Sequence, residues 1–441
     1  MKRRTSRRDF LKVSALGGIS FWVVQRSAFP EDKSPNEKIN LGFVGCGGMG
    51  WSNLQDFQHE NIVALCDVDD NRAANAYKLK PQAKRYHDFR EMLEKEKTID
   101  AVVVATPDHV HAPASIMAMK LGKHCFCQKP LTHSVYEARM MRTVAAEYKV
   151  ATQMGNQGTA ENGLRRAVEV IRAGALGPVR EVHVWTNRPI WPQGMDRPAG
   201  STPVPDYLKW DLWLGPAPER PFYTEKDKDT YCPFTWRGWL DFGTGALGDM
   251  ACHTANMPFM ALKLEAPTAI EAKCSGMNNE SYPKWSEIRF EFPARGELCP
   301  VNFFWYDGGK RPPKEITADL DRVPISGCIV VGDKGKLFSP DDYGARFRLF
   351  PEESFKDYKG PDETLPRSPG HYKEWLDAIR GGRPAMSNFE YAARLTEMIL
   401  LGNLALRAGK KLEWDTANLK ITNWPEAAQY IRREYRKGYT L

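Results

Sequence analysis

The segment Gly45-Cys46-Gly47-Gly48-Met49-Gly50 constrains this chain more than any other. Its G-x-G-x-x-G spacing directly follows the apolar run Leu41–Val44 and precedes a helical pattern. Asp67 closes the next apolar run, 17 residues after Gly50. A strand must therefore turn sharply into a helix, as in a dinucleotide-binding βαβ unit. Gly45 is expected to make the tight turn. Gly47 lets the backbone approach a pyrophosphate, and Gly50 lets helix and strand pack closely. The loop, with Cys46, Gly48 and Met49, offers the free N–H groups of a helix start to phosphates. Asp67 would accept hydrogen bonds from the adenosine ribose hydroxyls and repel a 2′-phosphate. NAD is thus favoured over NADP, with Arg72 the nearby residue that softens the preference.

From Lys38 to Asn156, apolar runs alternate with helical patterns. Ile39–Val44, Ile62–Cys66, Ile99–Ala105, His124–Cys127 and Val150–Met154 read as buried strands. Residues 89–96 and 112–121 read as helices, and Ser134-Val135-Tyr136-Glu137 as a capping box opening a helix to about Tyr148. This alternation predicts a parallel, doubly wound sheet over residues 37–156.

Residues 157–441 have a different texture. A helix over Asn162–Ala173 stops at Gly174. Strand-like runs follow at Val179–Trp185, Ala269–Cys274, Ser286–Phe292, Val301–Trp305, Cys328–Val331 and Arg346–Phe350, mostly without helical crossovers. They predict an α/β unit built on a largely antiparallel sheet with one covered face. Eleven of the 13 tryptophans lie at or beyond Trp185. The Pro- and Trp-rich stretch 186–240 reads as a long ordered excursion. Ser387-Asn388-Phe389-Glu390 reads as a second capping box, opening an apolar helix that Gly409 ends after Ala408.

The net charge of +7 comes almost entirely from residues 1–28, whose seven Lys or Arg and one Asp supply +6. The rest, at +1, lacks the clustered basic surface of a nucleic-acid binder. Hydrophobic residues at 42% and charged residues at 27% exclude a mostly disordered chain. The run Ser6-Arg7-Arg8-Asp9-Phe10-Leu11-Lys12 followed by apolar Val13–Val24 resembles a bacterial twin-arginine export signal. Residues 1–30 are therefore expected to act as a signal peptide. They would engage the twin-arginine export machinery and place the protein in the periplasm, anchored to the membrane if uncleaved. That route carries folded proteins, so a cofactor would travel tightly bound. The nine cysteines are scattered and read as buried free thiols.

Three further segments matter: Thr106-Pro107-Asp108-His109-Val110-His111, Gln128-Lys129-Pro130 and Gly245–His253 with its Asp249-x-x-x-His253 pair. Together with the glycine loop they resemble the Gfo/Idh/MocA oxidoreductase family. The resemblance implies a Rossmann domain, a C-terminal α/β domain whose open sheet face mediates homo-oligomerisation, and a sugar-like substrate bound between them. It implies that Lys129 contacts substrate and nicotinamide, that His253 is the acid/base with Asp249, and that Thr106, Pro107 and His109 lie along the cofactor. Lys129-Pro130 matches a bond that is usually cis in the family. Gln128 replaces the glutamate of the family's E-K-P motif and removes a carboxylate beside the lysine.

The residue chemistry agrees. On one helix, Asp249 and His253 share a face, where a carboxylate can orient an imidazole and stabilise its protonated form. The same spacing would also suit a purely structural hydrogen bond. Alcohol oxidation needs a base, a cation for the developing alkoxide and a hydride acceptor, and His253, Lys129 and NAD match these in turn. No metal is assigned. Cys252 falls about 100° around the helix from His253, and His109 and His111, read as sharing one face of an extended segment, lack evident partners. Asn156, Gln157, Arg237 and His253 are the expected substrate contacts, within a wall that also offers Asn187-Arg188, Trp236 and Trp305-Tyr306-Asp307. Three functions stay open. These are an oxidoreductase on a sugar, glycoside or polyol hydroxyl, a glycosidase working by transient oxidation and elimination, and a non-catalytic binding protein.

Overall fold

The structure is a computed structural model that describes residues 37–225 and 230–441. The expected export signal lies outside the described residues. Among them, no helix is long and apolar enough to cross a membrane.

The first sheet comprises β1 (Asn40–Val44), β2 (Asn61–Cys66), β3 (Lys84–Tyr86), β4 (Ala101–Val104), β5 (His124–Cys127) and β6 (Thr152–Met154). All pairs are parallel, in the order β3-β2-β1-β4-β5-β6. Helices α1 (Met49–Asp56), α2 (Asp70–Leu79), α3 (Phe89–Lys95), α4 (Asp108–Lys120) and α5 (Val135–Tyr148) connect them. Helices cover both faces, so β4 and β5 are buried at every residue, which is why they read as unbroken apolar runs. Edge strand β3, Lys-Arg-Tyr, has no such run and escaped the sequence reading. His109 and His111 lie in α4 and not in an extended segment, because the helix already starts at Asp108 behind Pro107. The Ser134–Glu137 capping box forms at α5.

The second sheet has nine strands: β7 (Val179–Trp185), β8 (Ala269–Cys274), β9 (Ser286–Phe292), β10 (Val301–Tyr306), β11 (Gly327–Gly332), β12 (Gly335–Ser339), β13 (Arg348–Phe350), β14 (Leu412–Asp415) and β15 (Lys420–Ile421). Their order is β13-β12-β11-β7-β10-β9-β8-β14-β15, and every neighbour is antiparallel except β7 with β10. Strand β9 alternates buried and half-buried positions, the mark of one covered face.

Six helices position the site: α6 (Asn162–Arg172), α7 (Trp210–Leu214), α8 (Gly245–Thr254), α9 (Asn256–Ala261), α10 (His371–Ile379) and α11 (Phe389–Ala408). Helices α8 and α9 are parted at Ala255, because Pro258 has no N–H for the ladder, and Asp249 and His253 both lie on α8. The cap of α11 is Asn388 and not Ser387. Asn388 Oδ1 accepts the N–H groups of Glu390 at 3.1 Å and Tyr391 at 3.3 Å, while the Ser387 hydroxyl donates to Asn156 Oδ1. Gly409 ends that helix in the left-handed conformation, at φ 61°. Helix α10 comes late in the chain yet packs on the first sheet. Its Trp375 ring sits 5.4 Å from Phe57 and 5.6 Å from Phe126.

Candidate functional site

The first sheet reverses direction between β1 and β4, the switch point where open α/β sheets bind ligands at their strand ends. A cavity of about 480 Å³ runs there across the carboxyl ends of the strands. In strand order it passes Asp88 after β3, Asp67 after β2, the glycine loop after β1, Thr106 after β4 and Lys129 after β5. Gly45 turns the chain at φ 87°, a region side chains avoid. A Cβ on Gly50 would collide with the Gly45 carbonyl oxygen, so that position closes the strand–helix contact. Gly47, Gly48 and Met49 line the cavity. Cys46 does not; its side chain is buried and it contributes its N–H, which donates to Asp67 Oδ2 at 2.7 Å. Asp67 Oδ1 accepts from the Asp69 N–H at 3.0 Å. Burial raises its pKa against those bonds. These features fit a dinucleotide, with the loop at its phosphates and Asp67 at its adenosine ribose.

At the far end Lys129 Nζ donates to Asp249 Oδ1 at 2.8 Å and to the Asp249 carbonyl at 3.1 Å. Arg237 Nε donates to the same Oδ1 at 3.2 Å. Burial would raise the Asp249 carboxyl, but the Lys129 and Arg237 cations outweigh it and hold it at about 2. Arg237 is packed between Trp236, 4.2 Å from its ring centre, and Phe234, at 4.5 Å. The Lys129-Pro130 bond is cis. His111 sits behind this turn, with ring nitrogens 2.8 Å from the Pro130 carbonyl and 2.9 Å from the Thr106 carbonyl. Gln128 lines the cavity, and its amide donates to Asn53 Oδ1 at 2.8 Å. An amide can make this bond; an ionised glutamate could not donate it.

No hydrogen bond joins His253 to the expected carboxylate partner, although the Asp249 charge still acts on the imidazole. Asp249 is engaged by Lys129 and Arg237, whereas His253 Nδ1 is buried with no hydrogen-bond partner. Its ring meets Tyr343 edge-on at 4.9 Å. Burial first, then the Lys129 cation, push its pKa down to about 3, so the imidazole is neutral rather than stabilised as a cation.

Two expected contacts are spent elsewhere. His109 is buried outside the cavity lining, its ring nitrogens 3.2 Å from the Phe242 carbonyl and 3.0 Å from the Trp213 carbonyl. Asn156 is fully buried, with Nδ2 donating to the Cys252 carbonyl at 3.2 Å and Oδ1 accepting from Ser387. Both fold the junction together and neither faces the cavity. Gln157 begins a short 3₁₀ turn beside Tyr372. Asp307 is buried and accepts from Ser286 Oγ at 2.7 Å and Trp305 Nε1 at 2.9 Å, so that pair belongs to the sheet.

Sequence reasoning missed other residues. Leu212, Trp213, Pro233 and Phe234 of the Trp-rich excursion form the wall facing the glycine loop. The composition of 186–240 was a usable signal. Asp108 accepts the Thr244 hydroxyl at 2.6 Å, and burial lifts its carboxyl to about 7 despite that bond and the nearby Lys129. Tyr439 reaches the opposite end of the cavity, and nothing near it in sequence signals this.

Such a fold and site define a protein of two α/β units that holds a nicotinamide dinucleotide on the first and opens a polar site at their junction. The family models "Oxidoreductase family, NAD-binding Rossmann fold" and "Oxidoreductase family, C-terminal alpha/beta domain" match residues 39–156 and 182–299. The chain belongs to the Gfo/Idh/MocA oxidoreductase family, and its N-terminal domain is an NAD-binding Rossmann domain. Among curated proteins it is similar to a glycosyl hydrolase family 109 protein of Solibacter usitatus, 29% identical over 193 residues, covering 40% of this chain and 44% of that one. It is also similar to inositol 2-dehydrogenase of Salmonella typhimurium, 28% identical over 153 residues, covering 33% and 45%. The chain thus spans less than half the length of these relatives. Among solved structures, the WlbA dehydrogenase from Bordetella pertussis, in complex with NADH and UDP-GlcNAcA, shares the fold. Its TM-score is 0.60 at 15% identity, over 86% of this chain and 99% of that one. An aldose-aldose oxidoreductase from Caulobacter crescentus gives 0.56 at 17%, over 86% and 100%.

Proposed function

We propose that this protein is an NAD-dependent oxidoreductase acting on a secondary hydroxyl of a sugar, glycoside or polyol. The observation that carries the reading is the Lys129–Asp249 pair, set at the end of the cavity that runs from Asp88 past the glycine loop. NAD, held by residues 45–50, Asp67, Thr106, Pro107 and Gln128, would supply hydride acceptance. Lys129 and Arg237 bring two cations to one carboxylate, so positive charge remains to stabilise an alkoxide. His253 is neutral, the protonation state a general base needs. Burial and the Lys129 cation keep it a weak base until substrate binds, so its role requires that binding to raise its basicity. Trp236 and Phe234 hold Arg237 at the cavity wall, where its guanidinium can read sugar hydroxyls. The test is to release the nucleotide from purified protein, identify it by mass, and then screen glycosides and polyols for a ketone product. One NAD per chain and a ketone formed about 10²- to 10³-fold more slowly by a Lys129→Met variant than by the parent is the expected result.

The similarity to a glycosyl hydrolase family 109 protein favours a second reading, a glycosidase that oxidises its sugar transiently, eliminates the aglycone and reduces again. Both readings use Lys129 and His253. A free sugar without net reduction of NAD selects the glycosidase, and a ketone selects the oxidoreductase.

We further propose export by the twin-arginine pathway to the periplasm with the cofactor already bound, on the strength of Ser6–Lys12. Replacing Arg7 and Arg8 by Lys is expected to leave folded, NAD-loaded protein in the cytoplasm. Homo-oligomerisation through the more open face of the second sheet, whose part over Trp185, Tyr306, Ile329 and Phe338 is already packed against Ile316, Leu320 and Val323, is part of the same proposal, and light scattering of the purified protein tests it.

A further inference from the structure

One wall of the cavity comes from no motif. Beyond Asp67, on the β3 side, it is bounded by His87, Phe89 and Tyr439. Tyr439 is 8% exposed. The Arg90 guanidinium lies 4.2 Å from its ring centre, and the Phe89 ring is 6.4 Å away. Arg90 is itself fixed by Asp88 at 2.6 Å and donates to the Gly438 carbonyl at 2.7 Å.

The segment carrying Tyr439 is fastened to both sides of the cavity. On the excursion side, Arg436 donates to the Asp211 carbonyl at 2.6 Å and the Gly215 carbonyl at 3.1 Å, on and just after α7. On the Rossmann side, Arg90 holds Gly438, and Lys120 donates to the Leu441 carbonyl at 2.8 Å. Upstream, buried Glu137 accepts from Arg433 Nε at 2.8 Å and from the Tyr435 hydroxyl at 2.6 Å. The other oxygen of Glu137 accepts the Ser134 N–H at 3.0 Å and caps α5, so this anchor rests on a rigid helix start.

We propose that Arg433–Leu441 is part of the dinucleotide site, a strap joining the excursion to the Rossmann sheet across the adenosine end and slowing the escape of NAD. The inference rests on the NAD reading above. Strand order fixes which end the strap closes: with the ribose at Asp67, whatever lies farther toward β3 faces the adenine. Tyr439, one face of which is held by Arg90, and Phe89 bring aromatic surface to the cavity wall where the purine would lie. For the adenosine to leave past Tyr439, the strap must part from Arg90 or Arg436 must part from α7. An exported protein with no soluble NAD to rebind would depend on that slow step.

The test uses full-length protein carrying its NAD, chased with excess isotopically labelled NAD. Exchange is followed by mass spectrometry of the nucleotide released on denaturation. Tyr439→Ala is expected to exchange about tenfold faster or more, the scale of one lost aromatic contact. Arg436→Met should also speed exchange, through the tether alone, and Tyr439→Phe should match the parent. Parent-like exchange in both Tyr439→Ala and Arg436→Met would overturn the strap while leaving NAD binding intact. A parent that neither carries NAD nor binds it on titration would overturn the NAD reading and the strap with it. Should Tyr439→Ala fail to fold, Arg436→Met against Tyr439→Phe decides alone.

Discussion

Lys129 and Asp249 meet across the junction of the two sheets, Nζ to Oδ1 at 2.8 Å, with side chains only 16% and 12% exposed. One follows β5 of the Rossmann sheet and the other sits on α8, 120 residues later. The pair therefore reports that both halves are docked. It also ranks the roles in the site: the carboxylate serves two cations, and the histidine one turn along makes no hydrogen bond to it.

Removing the lysine charge should show in the first turnover. Lys129→Met leaves Asp249 with Arg237 alone and takes away the cation nearest the proposed alkoxide. Hydride transfer is expected to slow by about 10²- to 10³-fold, the usual loss of one charge-stabilising donor, with NAD still bound. Rapid-mixing absorbance of the reduced nicotinamide, beside the nucleotide content of the same sample, checks both parts. A normal first turnover would remove Lys129 from the chemistry.

His253→Ala should abolish turnover and leave NAD in place, because His253 lies outside the cavity that holds the glycine loop. Asp249→Asn should instead retain a slow reaction, since no hydrogen bond links it to the imidazole. Equal, complete losses in the two variants would mean that Asp249 orients the base after all. Steady-state rates and nucleotide content for each variant give the comparison.

Asp67→Ala should weaken NAD and relax the exclusion of NADP. The substitution removes the carboxylate at the end of β2, while Arg72 stays against the loop; a Cβ on Gly47 would lie 2.9 Å from that of Arg72. Competitive titration of stripped protein with the two nucleotides measures the ratio. An unchanged ratio would mean that Asp67 only braces the Cys46 and Asp69 N–H groups.

The protein is expected to lose stability as pH falls below about 6.5. Burial holds His109, His253 and His371 at about 3 and His111 at about 4. Unfolded, each takes a proton below its ordinary 6.5; folded, each stays neutral to much lower pH. The unfolded chain therefore binds more protons across that window, so stability is full above it and declines toward acid. Buried Asp108, at about 7, and Asp307, at about 6, act oppositely because the folded chain is protonated there. His133 and His183, also pushed down by burial, join these four, so the histidines outnumber the two carboxyls and stability falls toward acid. Urea unfolding midpoints of nucleotide-free protein across this range test it, and a flat profile would contradict neutral buried histidines.

The fold was legible where structure is local or periodic. The glycine loop, the strands β1, β2, β4 and β5, and the Ser134 cap follow from residues within a turn or two of each other. The cis bond at Lys129-Pro130 was legible only through the resemblance to the family. Strand β3 was hidden because a charged edge needs no apolar run, and the second cap was placed one residue early because Ser387 and Asn388 are both good caps.

By itself the sequence determined that a Rossmann strand–turn–helix with an acidic second strand exists here. That much rests on steric facts at single positions: Gly45 needs positive φ, and Gly50 tolerates no Cβ. It also placed Lys129, Asp249 and His253 as the polar residues worth watching. Only the tertiary structure decided how they pair. Whether Asp249 meets His253, four residues away, or Lys129, 120 residues away, depends on how two separately built sheets dock. The same docking buried His109 and Asn156 as braces, raised Asp108 by desolvation, and brought Tyr439 from the carboxy-terminal segment to the cavity wall. Local steric rules are written along the chain, whereas burial and long-range charge pairing arise only when distant surfaces close on one another.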